Sequence, residues 1–116
     1  MKYTLIMAAL FTATCTFTAQ AMDKEASTPM QQEYQQQMSA MHESMMSGMM
    51  DTNPDRAFAR SMLAHHIGAV EMAKTELKYG KDPQMRQLAA NIIEAQQKEI
   101  TQMKAWIAAH PDKPAH

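Results

Sequence analysis

Cysteine is almost absent from this sequence. Its single cysteine, Cys15, lies in a leader segment that we expect to be removed, so the remaining chain has neither disulfide bonds nor thiolate ligands for a metal. Glycine is scarce too, with 3 residues, and none forms a phosphate-binding loop. We also find no nucleophile next to an evident base. We therefore expect a binding protein rather than an enzyme, stabilised by packing alone.

The sequence also lacks an excess of charge and a long hydrophobic run. Its net charge of −1 offers no basic surface to nucleic acid or to an anionic membrane. An uncharged stretch over residues 4–18 is rich in threonine and shorter than the ~20 apolar residues that cross a bilayer. We therefore expect neither a nucleic-acid partner nor a membrane span.

The N-terminus has the pattern of a secretory signal peptide over residues 1–21. Lys2 precedes the uncharged stretch, and Ala19-Gln20-Ala21 follows it as a cleavage site of small residues. We predict cleavage after Ala21 and export to the periplasm. The polar residues 22–29 are then expected to be a disordered N-terminal segment.

Three helices are predicted in the rest of the chain. Spacings of three and four residues between methionines indicate a Met-rich helix over residues 30–50. Asn53-Pro54 and Asp82-Pro83 each combine a capping side chain with a proline that suits a first helical turn. We therefore expect a second and a third helix to begin at these two places.

The second and third helices form a predicted hairpin over residues 54–109. The second should end at Gly80 and the third near Ala109, before a C-terminal tail over residues 110–116. Each is roughly 40 Å long at ~1.5 Å per residue, and equal helices joined by a short turn pack antiparallel. With the first helix folded back in the same way, the predicted fold is all-α, an up-down bundle of three helices.

The expected core is thin, because three helices of this length bury little surface. A homodimer with a larger core is therefore a secondary hypothesis. The core of one chain would be built from apolar stripes on the hairpin: Phe58, Met62, Leu63, Val70, Met72, Ala73 and Leu77 on the second helix, and Met85, Leu88, Ala89, Ile92, Ile93, Ile100, Met103 and Ile107 on the third.

Methionine is the residue in excess. Of 14 methionines only Met1 and Met7 lie in the signal peptide, although leucine and isoleucine would specify a core more sharply. Spacings of three and four place methionine beside histidine on the predicted helices. The candidate metal ligands are Met38, Met41, His42, Met45, Met46, Met49 and Met50 on the first helix and Met62, His65, His66 and Met72 on the second.

These donor atoms favour particular metals. Thioether sulfur is soft and neutral, which suits copper(I) and silver(I) and not magnesium, calcium or zinc, while imidazole also accepts copper(II). Thioethers, unlike thiolates, are not lost to disulfides in an oxidising periplasm. The sequence therefore predicts binding of Cu(I), with Ag(I) or Cu(II) as alternatives. Other periplasmic metal-handling proteins would be its partners.

The methionines also have two interpretations that involve no metal. Met85 and Met103 lie among isoleucines and are more simply core residues. A Met-rich helix can also be an adaptable surface for peptides. The chain would then be a non-catalytic interaction module, a chaperone or an adaptor.

The histidine pair and two polar residues of the third helix require partners. His65 and His66 diverge by about 100° on a helix, so one is expected to be a ligand and the other a buried, hydrogen-bonded residue. We favour His65, beside Met62, only slightly over His66. Gln96 and Glu99 interrupt the apolar stripe, and Glu99 could orient a metal-bound histidine across the hairpin.

The hairpin contains an ordered run of motifs between Asp55 and Ile107. The run begins with FARSMLAHHIGAVEMA at residues 58–73 and LKYGKDP at residues 77–83. It continues on the third helix at Arg86, Leu88, Ala89, Ile92, Ile93, Ala95, Gln96, Glu99, Ile100, Met103 and Trp106. In these residues the hairpin resembles the domain-of-unknown-function 305 family.

This resemblance implies a ferritin-like helical bundle and a function in copper binding, since characterised members include CopM-like periplasmic copper-binding proteins. The chain would sequester or ferry copper(I) or silver(I) and so contribute to metal tolerance.

A di-iron enzyme is not expected, because no Glu-x-x-His motif occurs. Ala64 replaces a proline that the family often has before the histidine pair. The implied ligands are Met62, His65, His66, Met72 and Met103, with Gln96 and Glu99 as supporting residues.

Overall fold

A computed structural model describes residues 26–112, which fold into three α-helices. Helix α1 spans Pro29–Met49, α2 spans Pro54–Tyr79 and α3 spans Pro83–Ala109. No strand occurs in this range, which confirms the predicted all-α helical bundle. The predicted signal peptide, residues 22–25 and residues 113–116 of the tail lie outside the described residues. None of the three helices is both long and apolar enough to span a membrane.

The predicted caps of α2 and α3 are present. Asn53 Oδ1 accepts hydrogen bonds from the N–H groups of Asp55 and Arg56, both at 3.0 Å. At the start of α3, Asp82 Oδ1 accepts hydrogen bonds from the N–H groups of Gln84 and Met85, at 2.9 and 3.0 Å. Proline follows each cap, where its missing N–H is not needed. The two sequence signals therefore correctly located the start of the hairpin and its turn.

Helix α1 begins one residue earlier than the sequence predicted. Thr28 Oγ1 accepts a hydrogen bond from the Gln31 N–H at 3.2 Å, and the Gln31 side chain accepts one from the Thr28 N–H at 2.8 Å. This reciprocal capping box brings Pro29 into the first turn. Pro29, assigned from the sequence to a disordered segment, is thus the first residue of the helix.

Helix α2 lies between the other two helices. Both α1 and α3 pack along it, and no close backbone contact joins α1 to α3 in the part of the chain that is described. Gly68 of α2 faces α1, whereas His66 faces α3. Two residues along a helix differ by about 200°, so α1 and α3 lie on opposite sides of α2. The three helices therefore form a single layer with two open faces.

This arrangement leaves only a small core. Phe58, Met72, Met85 and Leu88 were predicted to be core residues, and that prediction is wrong, because they are 42–68% exposed. They lie on open surface because the helices of a single layer cover one another only at their sides. The largest fully buried side chain among the described residues is that of Thr75. The buried apolar residues are Ala59, Ala64, Val70, Ala73, Ala89 and Ile100.

A cluster of ion pairs joins the α1–α2 turn to the end of α3. Asp51, whose side chain is 2% exposed, lies 2.9 Å from Arg56 Nε and 3.0 Å from Arg60 Nη1. The same two arginines reach Asp112, just beyond α3, at 2.9 and 3.2 Å. The cluster therefore links both outer helices of the layer through α2.

We expect Asp51 to make the stability of the protein depend on acid pH. Hydrogen bonds from Arg56 and then from the Asn53 N–H lower the pKa of Asp51 from 3.8 to about 2. Because the pKa is lower in the folded state, the stabilisation is complete above pH ~4 and is lost as the pH falls towards ~2. The thermal midpoint Tm should therefore fall less over this range in Asp51→Asn than in the wild type. Equal falls in the two proteins would contradict this role.

Candidate functional site

Three methionines line one small groove between α1 and α2. Met38 and Met41 come from α1, and Met72 comes from α2. The groove has a volume of about 150 Å³, and its other lining residues are Tyr34, Gln37 and Gly68. In the sequence Met38 and Met41 belong to one local pattern and Met72 to another. The antiparallel packing of α1 on α2 brings them to one place.

Gly68 allows the Met41 side chain to lie at this helix contact. A Cβ built on Gly68 would overlap Met41 Sδ and would stand only 2.9 Å from its Cγ and 3.3 Å from its Cβ. We assigned Gly68 no role from the sequence. The signal was available, since glycine inside a helix costs up to ~1 kcal/mol relative to alanine and often marks a close approach.

Polar contacts hold α1 in register against α2 beside the groove. Gln37 Nε2 donates a hydrogen bond to Thr75 Oγ1 at 2.7 Å. One turn earlier on α1, Glu33 accepts hydrogen bonds from Lys78 and from the Tyr79 hydroxyl. The bond from Lys78, followed by that from Tyr79, lowers the pKa of Glu33 and so keeps the carboxylate charged. A slip of α1 along α2 would break these contacts and separate the three methionines.

His66 is buried on the other side of α2, and both of its ring nitrogens have partners. Nδ1 lies 2.8 Å from the Met62 carbonyl oxygen, and Nε2 contacts Glu99 Oε2 of α3. This contact is the pairing across the hairpin that we expected of Glu99. A metal would have to displace one of these partners to bind His66. Gln96, by contrast, lacks the polar partner we expected, since within residues 26–112 its buried Oε1 accepts no hydrogen bond.

His65 is exposed and has a different environment from its neighbour. Its ring centroid lies 6.1 Å from that of His66. His65 precedes Met72 by seven residues, which places it two turns away on the same side of α2, about 10 Å along the axis. The pair thus divides into one exposed and one hydrogen-bonded histidine. Binding of metal by His65 stays a prediction.

The other predicted ligands lie elsewhere on the molecule, and their role stays a prediction as well. Among the described residues, no group of three or more histidine, cysteine, aspartate or glutamate side chains could hold a metal ion. Met103 of α3 lines a separate groove with Phe58 and Trp106. Of these predicted ligands, the exposed ones are His42, Met46 and Met49 of α1 and Met50 just after it, and the half-buried ones are Met45 of α1 and Met62 of α2.

Comparison with protein families gives a match along most of the chain. The model of the family described as "Domain of unknown function (DUF305)" matches residues 6–107. We had placed the start of the resemblance at Asp55. The match corrects this boundary, since it also includes the whole of α1, and the Met-rich helix is therefore part of the family domain.

One relative among curated proteins is the Uncharacterized protein L153 of Acanthamoeba polyphaga mimivirus. It is 39% identical to this chain over 51 residues, which are 44% of this chain and 34% of the relative. The matched part is thus about a third of the length of that protein.

Proposed function

The chain belongs to the DUF305 family, and we propose that it binds copper(I) or silver(I) through the thioethers of Met38, Met41 and Met72. The observation that carries this proposal is the groove in which these three side chains meet. Two of them come from one helix and the third from another, so the donor set depends on the folded protein. A ligand set of this kind distinguishes a binding site from a run of methionines.

The chemistry of the groove favours a monovalent soft ion. The thioethers of its three methionines are neutral, and no carboxylate lines it, so a hard divalent cation would find few suitable ligands there. Thioethers also need no deprotonation before they bind. Met38 and Met72 are 52% and 42% exposed, which gives an ion a path into the groove.

We propose further that the chain works in the periplasm. Residues 1–21 would direct export and be removed, which leaves a protein without cysteine in an oxidising compartment. There the protein would sequester copper(I) or silver(I), or pass it to other metal-handling proteins, and so contribute to metal tolerance. The exposed methionines and histidine of α1 would assist capture before the ion enters the groove.

An anaerobic copper(I) titration against a competing chelator tests the proposal. The protein is purified from the periplasm of cells that express the full chain, and mass spectrometry gives its N-terminus and the number of ions bound. A synthetic peptide of residues 30–50 is the matched control, since it contains Met38 and Met41 without Met72. We expect tighter binding by the protein than by the peptide. Equal affinities would contradict the proposed groove site.

Gly68→Ala should weaken copper(I) binding by about tenfold or more, because the new Cβ must push the Met41 sulfur out of position. Gly48→Ala is the matched control. Its Cβ would meet the Ser61 backbone nitrogen at 2.9 Å, and it strains the same helix pair at a position away from Met38, Met41 and Met72. Thermal unfolding reports the cost of each change in stability. A loss of copper affinity in Gly48→Ala that equals the loss in Gly68→Ala would contradict a specific role of Met41.

A second function is favoured by the exposure of the methionines near the end of α1. Met46, Met49 and Met50 are 46–77% exposed, as expected of an adaptable surface for peptides. The chain would then be a helical interaction module. Peptide binding should persist in the presence of a copper(I) chelator and after replacement of these residues by leucine, which keeps the apolar surface and removes the sulfur.

A further inference from the structure

The three methionines of the groove differ in how open they are to solvent. Met38 and Met72 are 52% and 42% exposed. Met41 is half-buried, and its side chain lies against Gly68 where α1 and α2 come closest. A small solute can therefore reach the side chains of Met38 and Met72 more easily than that of Met41.

The electron pairs that make a thioether a ligand for copper(I) also make it reactive towards peroxides. Hydrogen peroxide transfers one oxygen atom to the sulfur, so that an S–O bond forms and the O–O bond breaks. The sulfur loses two electrons and becomes a sulfoxide. The other peroxide oxygen gains these electrons and leaves as water, together with both protons. No further reactant is needed.

This oxidation would change the donor set of the groove. A sulfoxide presents a hard oxygen in place of a soft, neutral sulfur, and copper(I) and silver(I) prefer the sulfur. Conversion of Met38 and Met72 would leave Met41 as the one thioether among the three methionines that line the groove. One thioether alone should hold a monovalent ion far more weakly than three.

The helices should stay in place when Met38 and Met72 are oxidised. Methionine sulfoxide is polar, and on a side chain that is about half exposed water can solvate the added oxygen. The hydrogen bond from Gln37 to Thr75, which helps to hold the register of α1 on α2, involves no methionine. The loss of copper(I) binding would therefore not require unfolding.

Met41 is in a different position. A Cβ built on Gly68 would stand only 2.9 Å from Met41 Cγ and would overlap its sulfur, so the two helices leave little room there for an added oxygen atom. Met41 should consequently be oxidised more slowly than Met38 and Met72. The close helix contact protects one ligand and leaves the other two accessible.

We propose that Met38 and Met72 are sites of reversible oxidation by a peroxide, and that their conversion to methionine sulfoxide prevents the empty groove from binding copper(I). This inference rests on the proposed function, because it concerns the same three thioethers. Methionine sulfoxide reductases, which use thiols as electron donors, would restore the thioethers. A bound ion would protect Met38 and Met72, since it occupies the electron pairs that a peroxide attacks.

Oxidation of the metal-free protein with hydrogen peroxide tests the inference. Peptide mass mapping gives the sulfoxide content of each methionine, and anaerobic chelator competition gives the copper(I) affinity once the peroxide has been removed. We expect Met38 and Met72 to be converted before Met41 and the affinity to fall by at least about a hundredfold. Circular dichroism should show the same helix content. Treatment with methionine sulfoxide reductases should restore the affinity.

Two outcomes of this experiment overturn the inference alone. The first is an unchanged copper(I) affinity after Met38 and Met72 have been converted. The second is a loss of helix content together with the affinity, because the oxidation would then act by unfolding the protein. A protein that binds no copper(I) before oxidation overturns the proposed function as well.

The matched control variant replaces the exposed methionines outside the groove, Met46, Met49 and Met50, by leucine. Peroxide should lower its copper(I) affinity as much as it lowers that of the wild type. If peroxide leaves the affinity of this variant unchanged, sulfoxides near the end of α1 cause the effect and the inference is overturned.

Silver(I) provides a second control, because it binds thioethers as copper(I) does. One equivalent of silver(I) during the oxidation should slow sulfoxide formation at Met38 and Met72 by at least about tenfold. Met85 of α3 is 47% exposed and lies outside the groove lining, so its oxidation should keep the same rate. If Met38 and Met72 are not protected, the ion does not bind their sulfur, and both the groove site and the inference are overturned.

Discussion

Replacing Met38, Met41 and Met72 together by leucine should weaken copper(I) binding by at least about a hundredfold while the three helices stay folded. Leucine has nearly the volume of methionine, so the packing of α1 on α2 should lose less than ~1.5 kcal/mol per substitution. The change removes the sulfur atoms of the three methionines that line the groove and keeps their side chains apolar. Chelator competition gives the affinity, and urea unfolding gives the stability.

The control for this variant removes three other sulfur atoms. Met46, Met49 and Met50 are exposed near the end of α1 and lie outside the groove lining. Their replacement by leucine should change copper(I) affinity by less than about threefold, since the groove ligands are untouched. If this variant loses as much affinity as the groove variant, the end of α1 holds the ion. If neither variant loses affinity, the groove site is wrong, and the candidate donors that remain are Met45, Met62, Met103 and the histidines.

Replacing His66 by alanine should lower the free energy of unfolding by about 2–4 kcal/mol. His66 is 8% exposed and contacts both the Met62 carbonyl and Glu99, so its removal leaves a cavity and breaks the polar contact across the hairpin. Glu99→Gln should cost less than ~1 kcal/mol, because the Glu99 side chain is 62% exposed and water can replace the lost contact. Urea unfolding, followed by circular dichroism, measures both effects.

The neighbouring histidine provides the comparison for His66. His65 is exposed, so His65→Ala should change stability by less than ~0.5 kcal/mol. Copper(I) affinity, measured under conditions where each variant is folded, should be unchanged in His66→Ala. A loss of affinity in His66→Ala without a loss of stability would mean that His66 is a ligand and that its contacts to Met62 and Glu99 open on binding.

The helices themselves were predictable because their signals are local. Asn53-Pro54 and Asp82-Pro83 each place a capping oxygen beside a proline, and both helices begin where these pairs predict. Helix α1 starts one residue before the predicted Met30, because Thr28 and Gln31 form a capping box that brings Pro29 into the first turn. Its signal is equally local, so it too is present in the sequence.

The core was not predictable in the same way. Hydrophobic periodicity identifies which side chains share a face of a helix, but it does not say which faces a neighbour covers. Phe58 and Leu88 lie on apolar stripes of α2 and α3 and are nevertheless exposed. They are exposed because α1 and α3 occupy opposite sides of α2, a choice that depends on packing between distant parts of the chain.

The candidate site shows the same division between local and tertiary information. The sequence by itself determined the donor chemistry, since methionine without cysteine restricts a site to soft, neutral ligands, and it also determined that His65 and His66 must point in different directions. Only the tertiary structure decided which donors meet. The register of α1 on α2, held by contacts such as Gln37 to Thr75, places Met72 in one groove with Met38 and Met41. The register of two helices depends on contacts between residues far apart in the chain, and a local sequence pattern does not specify those contacts.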